Sequence, residues 1–105
     1  MQVAKFTISD DERKETILEV LGDKYYRTVL ENIMQDSKTA LQISLEAKIP
    51  ATTVYRKLER LHRAGLIKVT GKITEEGKKN FLYKSRVSEI NTSFSKDGIS
   101  IVLVF

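Results

Sequence analysis

Cysteine is absent from this chain, which excludes disulfides, thiolate metal sites and thiol redox sensing. Histidine occurs once, as His62. It falls beside an apolar helical stripe, where a surface or phosphate-side role fits better than a base or ligand. No nucleophile elbow, glycine-rich phosphate loop or zinc spacing is present, so no catalytic constellation can be assembled. The chain is expected not to be an enzyme and to need no cofactor or metal. The acidic run Asp10-Asp11-Glu12 fits the first turn of a helix, where the helix dipole favours negative charge. No apolar run is long enough to span a membrane. Residues 1–8 hold one lysine and no apolar run of signal-peptide length, so a soluble, cytoplasmic protein without a membrane partner is expected.

Positive charge is what the chain has in one place. The formal net charge is +4, but residues 51–86 carry ten Lys or Arg against three Glu, a balance of +7. Residues 1–50 balance to −2 and residues 87–105 to −1. A basic run is often no more than a solvated face. Here it coincides with a motif, which gives it the character of a phosphate-facing surface.

That motif spans residues 38–67, KTALQISLEAKIPATTVYRKLERLHRAGLI. It reads as a short helix, a tight turn and a longer helix, the layout of a helix-turn-helix. Ser44 is small enough for a second helix to cross closely above it, and Lys48 falls at the turn. Val54, Leu58, Leu61 and Gly65 form the apolar stripe of the second helix. Pro50 suits a first helical turn, and Gly65 suits a C-terminus that needs a left-handed residue. Opposite the stripe stand Thr52, Thr53, Arg56 and Arg60, flanked by Ala51, Tyr55 and Lys57. Such groups hydrogen-bond base edges or phosphates, although any amphipathic hairpin also has a polar face.

Before the motif, Ser9 to Glu12 reads as a capping box opening a helix to about Leu21, with Ile17, Leu18 and Leu21 on its apolar face. Gly22 ends that helix and Asp23 caps the next. The second helix has Tyr26, Val29, Leu30, Ile33 and Met34 as its stripe and Arg27–Glu31 as an i, i+4 pair. Tyr25 and Tyr26 fit core packing better than a base-stacking platform. Thr39 is the expected cap of the third helix. After Gly65 the pattern turns to strands. Leu66–Val69 and Phe81–Tyr83 bracket a hairpin whose tip is Glu75-Glu76-Gly77-Lys78, with Gly77 at positive φ and Lys72, Lys78 and Lys79 near it. A short helix capped at Thr74 is the rival local reading. Residues 87–105 read as a second hairpin turning at Asp97-Gly98. Its last strand is apolar on both faces and wants cover, from the helices of the same chain or from a second copy.

Leu21-Gly22-Asp23, Arg27, Leu30, the helix-turn-helix and Arg63-Ala64-Gly65-Leu66-Ile67 together resemble the ArsR-type winged helix-turn-helix regulators, particularly their small archaeal members. The resemblance covers about residues 10–87. It implies a recognition helix in the major groove, a wing on the adjacent backbone and homodimers on inverted repeats. Thr52, Thr53, Tyr55 and Arg56 would then be groove and phosphate contacts. Two departures matter. Leu41–Leu45 holds none of the cysteine ligands of metal-sensing members, so metal sensing is not carried over. The chain also finishes in a strand hairpin where many members have a dimerisation helix.

The expected fold is therefore α+β: one winged helix-turn-helix domain over residues 1–105, with about four helices, a β-hairpin wing and a C-terminal β-hairpin. The helix-turn-helix takes 39–65, the wing 66–87 and the final hairpin 88–105. The expected function is sequence-specific binding of double-stranded DNA in transcription regulation, as a homodimer. The contact residues would be Ala51, Thr52, Thr53, Tyr55, Arg56, Lys57, Arg60, Lys72, Lys78 and Lys79. The alternative is a winged-helix protein-interaction module in a transcription or other nucleic-acid complex; RNA or non-specific duplex binding is a third option. No small-molecule effector can be named from these residues.

Overall fold

The computed structural model describes residues 3–73, 75–77 and 79–105, without the side chains of Lys72, Ile73 and Lys79. The element order is β1 (Lys5–Thr7), α1 (Asp11–Gly22), α2 (Lys24–Asn32), α3 (Ala40–Ala47), α4 (Ala51–Arg63), β2 (Ile67–Ile73), β3 (Lys79–Ser85), β4 (Glu89–Ser95) and β5 (Gly98–Val104). Four helices followed by small antiparallel sheets make the α+β architecture that the periodicity predicts.

The stripes that spacing sets out on α2 and α4 are buried, whereas on α1 Val20 takes the inner place beside Ile17 and the expected Leu18 and Leu21 are only half-buried. Ile17 and Val20 of α1, Tyr26, Val29 and Leu30 of α2, Ile43 of α3 and Val54, Leu58 and Leu61 of α4 join Ile101 and Leu103 of β5 in one core. Among the described residues no polar or charged side chain is buried in it. Burying each such aliphatic side chain is worth about 1.5–3 kcal/mol, so this shared core carries most of the fold's stability. Among the described residues no helix is long and apolar enough to cross a membrane.

The opening of α1 differs from expectation by one residue. Asp10, not Ser9, is the N-cap, accepting the Glu12 amide at 3.0 Å, and the Ser9–Glu12 box does not form. The cause lies upstream. β1 pairs antiparallel with β5, and its pairing runs on to Ile8, whose N–H donates to the Ile101 carbonyl at 2.9 Å. With Ile8 buried and held extended, the chain turns into helix only after Ser9. β1 itself was not foreseen from the sequence.

Asp23 both follows Gly22 and caps α2, accepting the amides of Tyr25 and Tyr26. The predicted Arg27–Glu31 pair is replaced by another contact. The Arg27 guanidinium donates to the Leu21 carbonyl, one of the acceptors left unpaired at the end of α1.

β2 and β3 form the second hairpin layer in continuous register from Ile67 opposite Ser85 to Ile73 opposite Lys79. Glu75 to Gly77 form the exposed turn, with Gly77 at φ +78°. The described part of this turn is not helical, so the rival helix capped at Thr74 is not supported by Glu75 to Gly77; Thr74 itself lies outside the described residues. β5 is the middle strand of the other sheet, ordered β1-β5-β4. Its apolar inner residues Ile101 and Leu103 are buried against the helices, so cover for that face comes from the same chain.

Two arginines join this sheet to the end of α4. Arg13 donates from Nε and Nη2 to the Ala64 carbonyl at 3.3 and 3.1 Å, and Arg86 Nη1 donates to the Gly65 carbonyl at 3.2 Å. Their guanidinium carbons lie 5.9 Å from the Phe6 ring centre and 5.5 Å from that of Phe105. Positive charge at the negative end of the helix dipole is favourable there.

Candidate nucleic-acid interface

The turn between α3 and α4 is built around Ser44. Thr39 caps α3 in a full capping box, accepting the Gln42 amide at 3.2 Å while Gln42 Oε1 accepts the Thr39 amide at 2.8 Å. The helix ends at Lys48 in the left-handed region, φ +58°. The Ser44 carbonyl accepts from the amides of Lys48 and Ile49, and its hydroxyl donates to the Ile49 carbonyl at 2.6 Å. A small residue was expected here for close helix crossing; the hydroxyl adds a latch on the turn. Pro50 then occupies the N-cap of α4, with φ −54°. The fixed ring dihedral sets the direction in which α4 leaves the turn.

With Val54, Leu58 and Leu61 buried, helical geometry decides what faces out. Thr52, Tyr55 and Arg56 are exposed on the N-terminal half of α4, while Ala51 and Thr53 are half-buried. Lys57 and Arg60 are turned toward the helical body. Lys57 Nζ lies 3.2 Å from Asp23 Oδ2 and 4.1 Å from the centre of the Tyr26 ring. Arg60 Nη2 lies 2.6 Å from Glu19 Oε2. Further along, Arg63 pairs with Glu59. Asp23 is influenced in both directions: burial pushes its carboxyl up, but the Tyr25 amide, the Lys57 ammonium and the Tyr26 amide outweigh it. Its pKa is held below the usual aspartate value.

The wing is tied to this unit from both sides. Lys38, just ahead of Thr39, exchanges backbone hydrogen bonds with Tyr83 of β3, at 3.0 Å and 2.8 Å. The Leu66 amide donates to the Leu61 carbonyl at 3.1 Å, linking α4 directly into β2. Of the predicted wing contacts, Lys72 stands opposite Asn80, and Lys79 opposite Ile73, next to the turn. Lys78 lies outside the described residues.

Where α3, α4 and β3 meet, a cleft of about 180 Å³ is lined by Leu41, Tyr55, Asn80, Phe81 and Tyr83, together with Thr39 and Ala40. Burial and the neighbouring Tyr55 hold the Tyr83 hydroxyl above the usual tyrosine range. Nothing in the sequence marks Asn80, Phe81 and Tyr83 as neighbours of Tyr55. Alternation along β3 could have placed Phe81 and Tyr83 on one face, but not which helix meets them. Among the described residues, no group of three or more His, Cys, Asp or Glu could hold a metal ion.

A helix-turn-helix whose second helix leads into a basic β-hairpin is a winged helix-turn-helix, the architecture of DNA-binding regulators. Residues 19–89 match the family of TrmB, sugar-specific transcriptional regulators. The chain belongs to the TrmB family, and so to a family of transcriptional regulators; the ArsR-type subtype is not the family matched. Among solved structures the fold is similar to a possible transcriptional regulator from Methanosarcina mazei Go1. The two are 16% identical with a TM-score of 0.58, over 79% of this chain and 76% of that one. No curated protein matches the chain.

Proposed function

We propose that this protein is a sequence-specific regulator that binds double-stranded DNA as a homodimer, with α4 in the major groove and the β2–β3 wing along the backbone. The observation that carries this reading is the outward face of α4. Thr52, Tyr55 and Arg56 project from its N-terminal half, while Asp23 and Glu19 take up Lys57 and Arg60 on the flank. Base reading then falls to Thr52 and Arg56, since hydroxyl and guanidinium groups match base-edge acceptors. Tyr55, beside the wing, holds sugar or phosphate. Lys72, Lys78 and Lys79 supply the wing's positive charge within the region of +7 balance. Ala51 and Thr53 fit close approach to the groove, and Lys57 and Arg60 help hold phosphates from the flank.

The test is enrichment of bound sites from random duplex DNA by the purified protein at near-physiological salt. The expected result is a palindromic consensus with half-sites about 10 base pairs apart. Failure to retain any duplex at low salt overturns the proposal. One observation favours the second reading, a protein-interaction module: Leu41 and Leu45 share a face of α3 and are 59% and 80% exposed. Salt-insensitive retention of a protein partner with no retention of DNA would decide for it.

A further inference from the structure

We propose that the open edge of β4 is the homodimer interface, pairing antiparallel with β4 of a second copy about a two-fold axis at Thr92. The inference deepens the homodimer reading above by naming its surface, and it does not depend on DNA binding.

The hydrogen-bond pattern of the sheet identifies the open groups. Ile8 donates to Ile101, and Phe105 donates to the Ala4 carbonyl, so the odd-numbered residues of β5 face β1. Alternation turns Ser100, Val102 and Val104 toward β4, where they stand opposite Ser93, Asn91 and Glu89. The backbone N–H and C=O of Ile90, Thr92 and Phe94 therefore point away from β5. Among the described residues β4 has no other strand neighbour.

Natural sheet edges are usually shielded by proline, lysine, a bulge or a covering segment. β4 reads EINTSFS, with no proline or lysine, and its register against β5 runs unbroken from Glu89 to Ser95. It also carries Phe94, which is 83% exposed. A large aromatic side chain on an unshielded edge is a mark of association.

The residues select both occupant and register. Centred on Thr92, a self-pairing puts Ile90 opposite the partner's Phe94 and Phe94 opposite the partner's Ile90. All three outward-facing residues are then hydrogen-bonded, and each phenyl ring gains an aliphatic cross-strand neighbour on the sheet's apolar face. Moving the axis by one residue, which slips the pairing by two, leaves one of the three without an outward-facing partner, and a one-residue slip sets outward-facing residues opposite inward-facing ones. Glu89 falls opposite the partner's Ser95, one residue from the partner's Lys96, so opposite charges meet twice across the axis. Residues 87–105 balance to only −1, against +7 over residues 51–86. This pairing joins the nearly neutral ends of two copies and leaves the basic faces out of it.

The test is sedimentation of the full chain without DNA over a concentration series. Wild type is expected as a dimer. Phe94→Asp, at a position exposed in the single chain, is expected as a folded monomer with an unchanged circular dichroism spectrum. Because the chain has no cysteine, Thr92→Cys gives a second and independent measure. Hydrogen-bonded antiparallel partners have Cα atoms about 5.5 Å apart, within disulfide reach. Mild oxidation should cross-link Thr92→Cys and leave Ser100→Cys, on the central strand, unlinked. A wild-type monomer overturns both this interface and the homodimer reading. A dimer that persists in Phe94→Asp, or that cross-links through position 100 and not 92, overturns this interface alone.

Discussion

Gly65 and Arg13 fit together with no room for a side chain between them. A Cβ on Gly65 would lie 2.8 Å from Arg13 Nη2, the atom that hydrogen-bonds the Ala64 carbonyl. Gly65 also has φ +76°, a conformation costing other residues about 1–2 kcal/mol. Gly65→Ala should therefore destabilise the fold by about 1–3 kcal/mol in denaturant unfolding. In an Arg13→Ala background the collision disappears and the backbone cost stays. The double-mutant cycle should show Gly65→Ala costing less there, yet still about 1 kcal/mol. An equal cost in both backgrounds would mean that the guanidinium simply moves aside.

Ser44 latches the turn that aims α4. Ser44→Ala keeps the small volume and both carbonyl bonds but removes the hydroxyl bond to Ile49. A loss of about 1 kcal/mol in stability is expected, the usual net worth of one such bond. Ser44→Leu tests volume instead. It should cost several times as much, because the half-buried site lies where α3 and α4 approach. Equal losses in the two variants would rule out a steric requirement at this position.

Arg56 and Lys57 are sequence neighbours with different surroundings. Arg56 is exposed on the outward face, whereas Lys57 is paired with Asp23 and lies over Tyr26. Arg56→Ala should leave unfolding almost unchanged and weaken binding to the selected site by about 1–3 kcal/mol. Lys57→Ala should mainly lower stability, by about 1 kcal/mol, through the lost contact with the ring. On the wing, Lys78→Ala should weaken all duplexes alike and flatten the salt slope by about one. Titrations of specific and random duplexes at several salt concentrations, beside denaturant melts, separate these outcomes.

These contrasts also show how far the residues alone could be read. The stripes of α2 and α4, the caps Thr39 and Asp23 and the left-handed Gly65 are local features, set within a turn or two of chain, and they were legible. β1 was not: three residues make too short an alternation to register, and their partner β5 is at the far end of the chain. The shift of the α1 cap to Asp10 follows from that same distant pairing. At the interface, helical periodicity places Thr52 and Arg56 outward. It cannot show that Lys57 and Arg60 meet Asp23 and Glu19, because those ion pairs are made between helices and depend on how α1 and α2 pack on α4.

Asp23 links α2 to α4 and makes that junction pH-sensitive. Its folded pKa lies below the ordinary aspartate value of 3.8. The ionised carboxylate is therefore favoured by folding: its contribution is fully present above the unfolded pKa and is lost as pH falls through the lower, folded one. Asp23→Asn keeps a capping oxygen for Tyr25 and Tyr26 but removes the charge opposite Lys57. Wild type should be the more stable of the two at neutral pH, and the gap should close as pH falls below about 4. Comparing thermal melts of both proteins from neutral pH downward measures this directly. A gap that holds constant through that acid range would show that the ionised form of Asp23 is not what stabilises the α2–α4 junction.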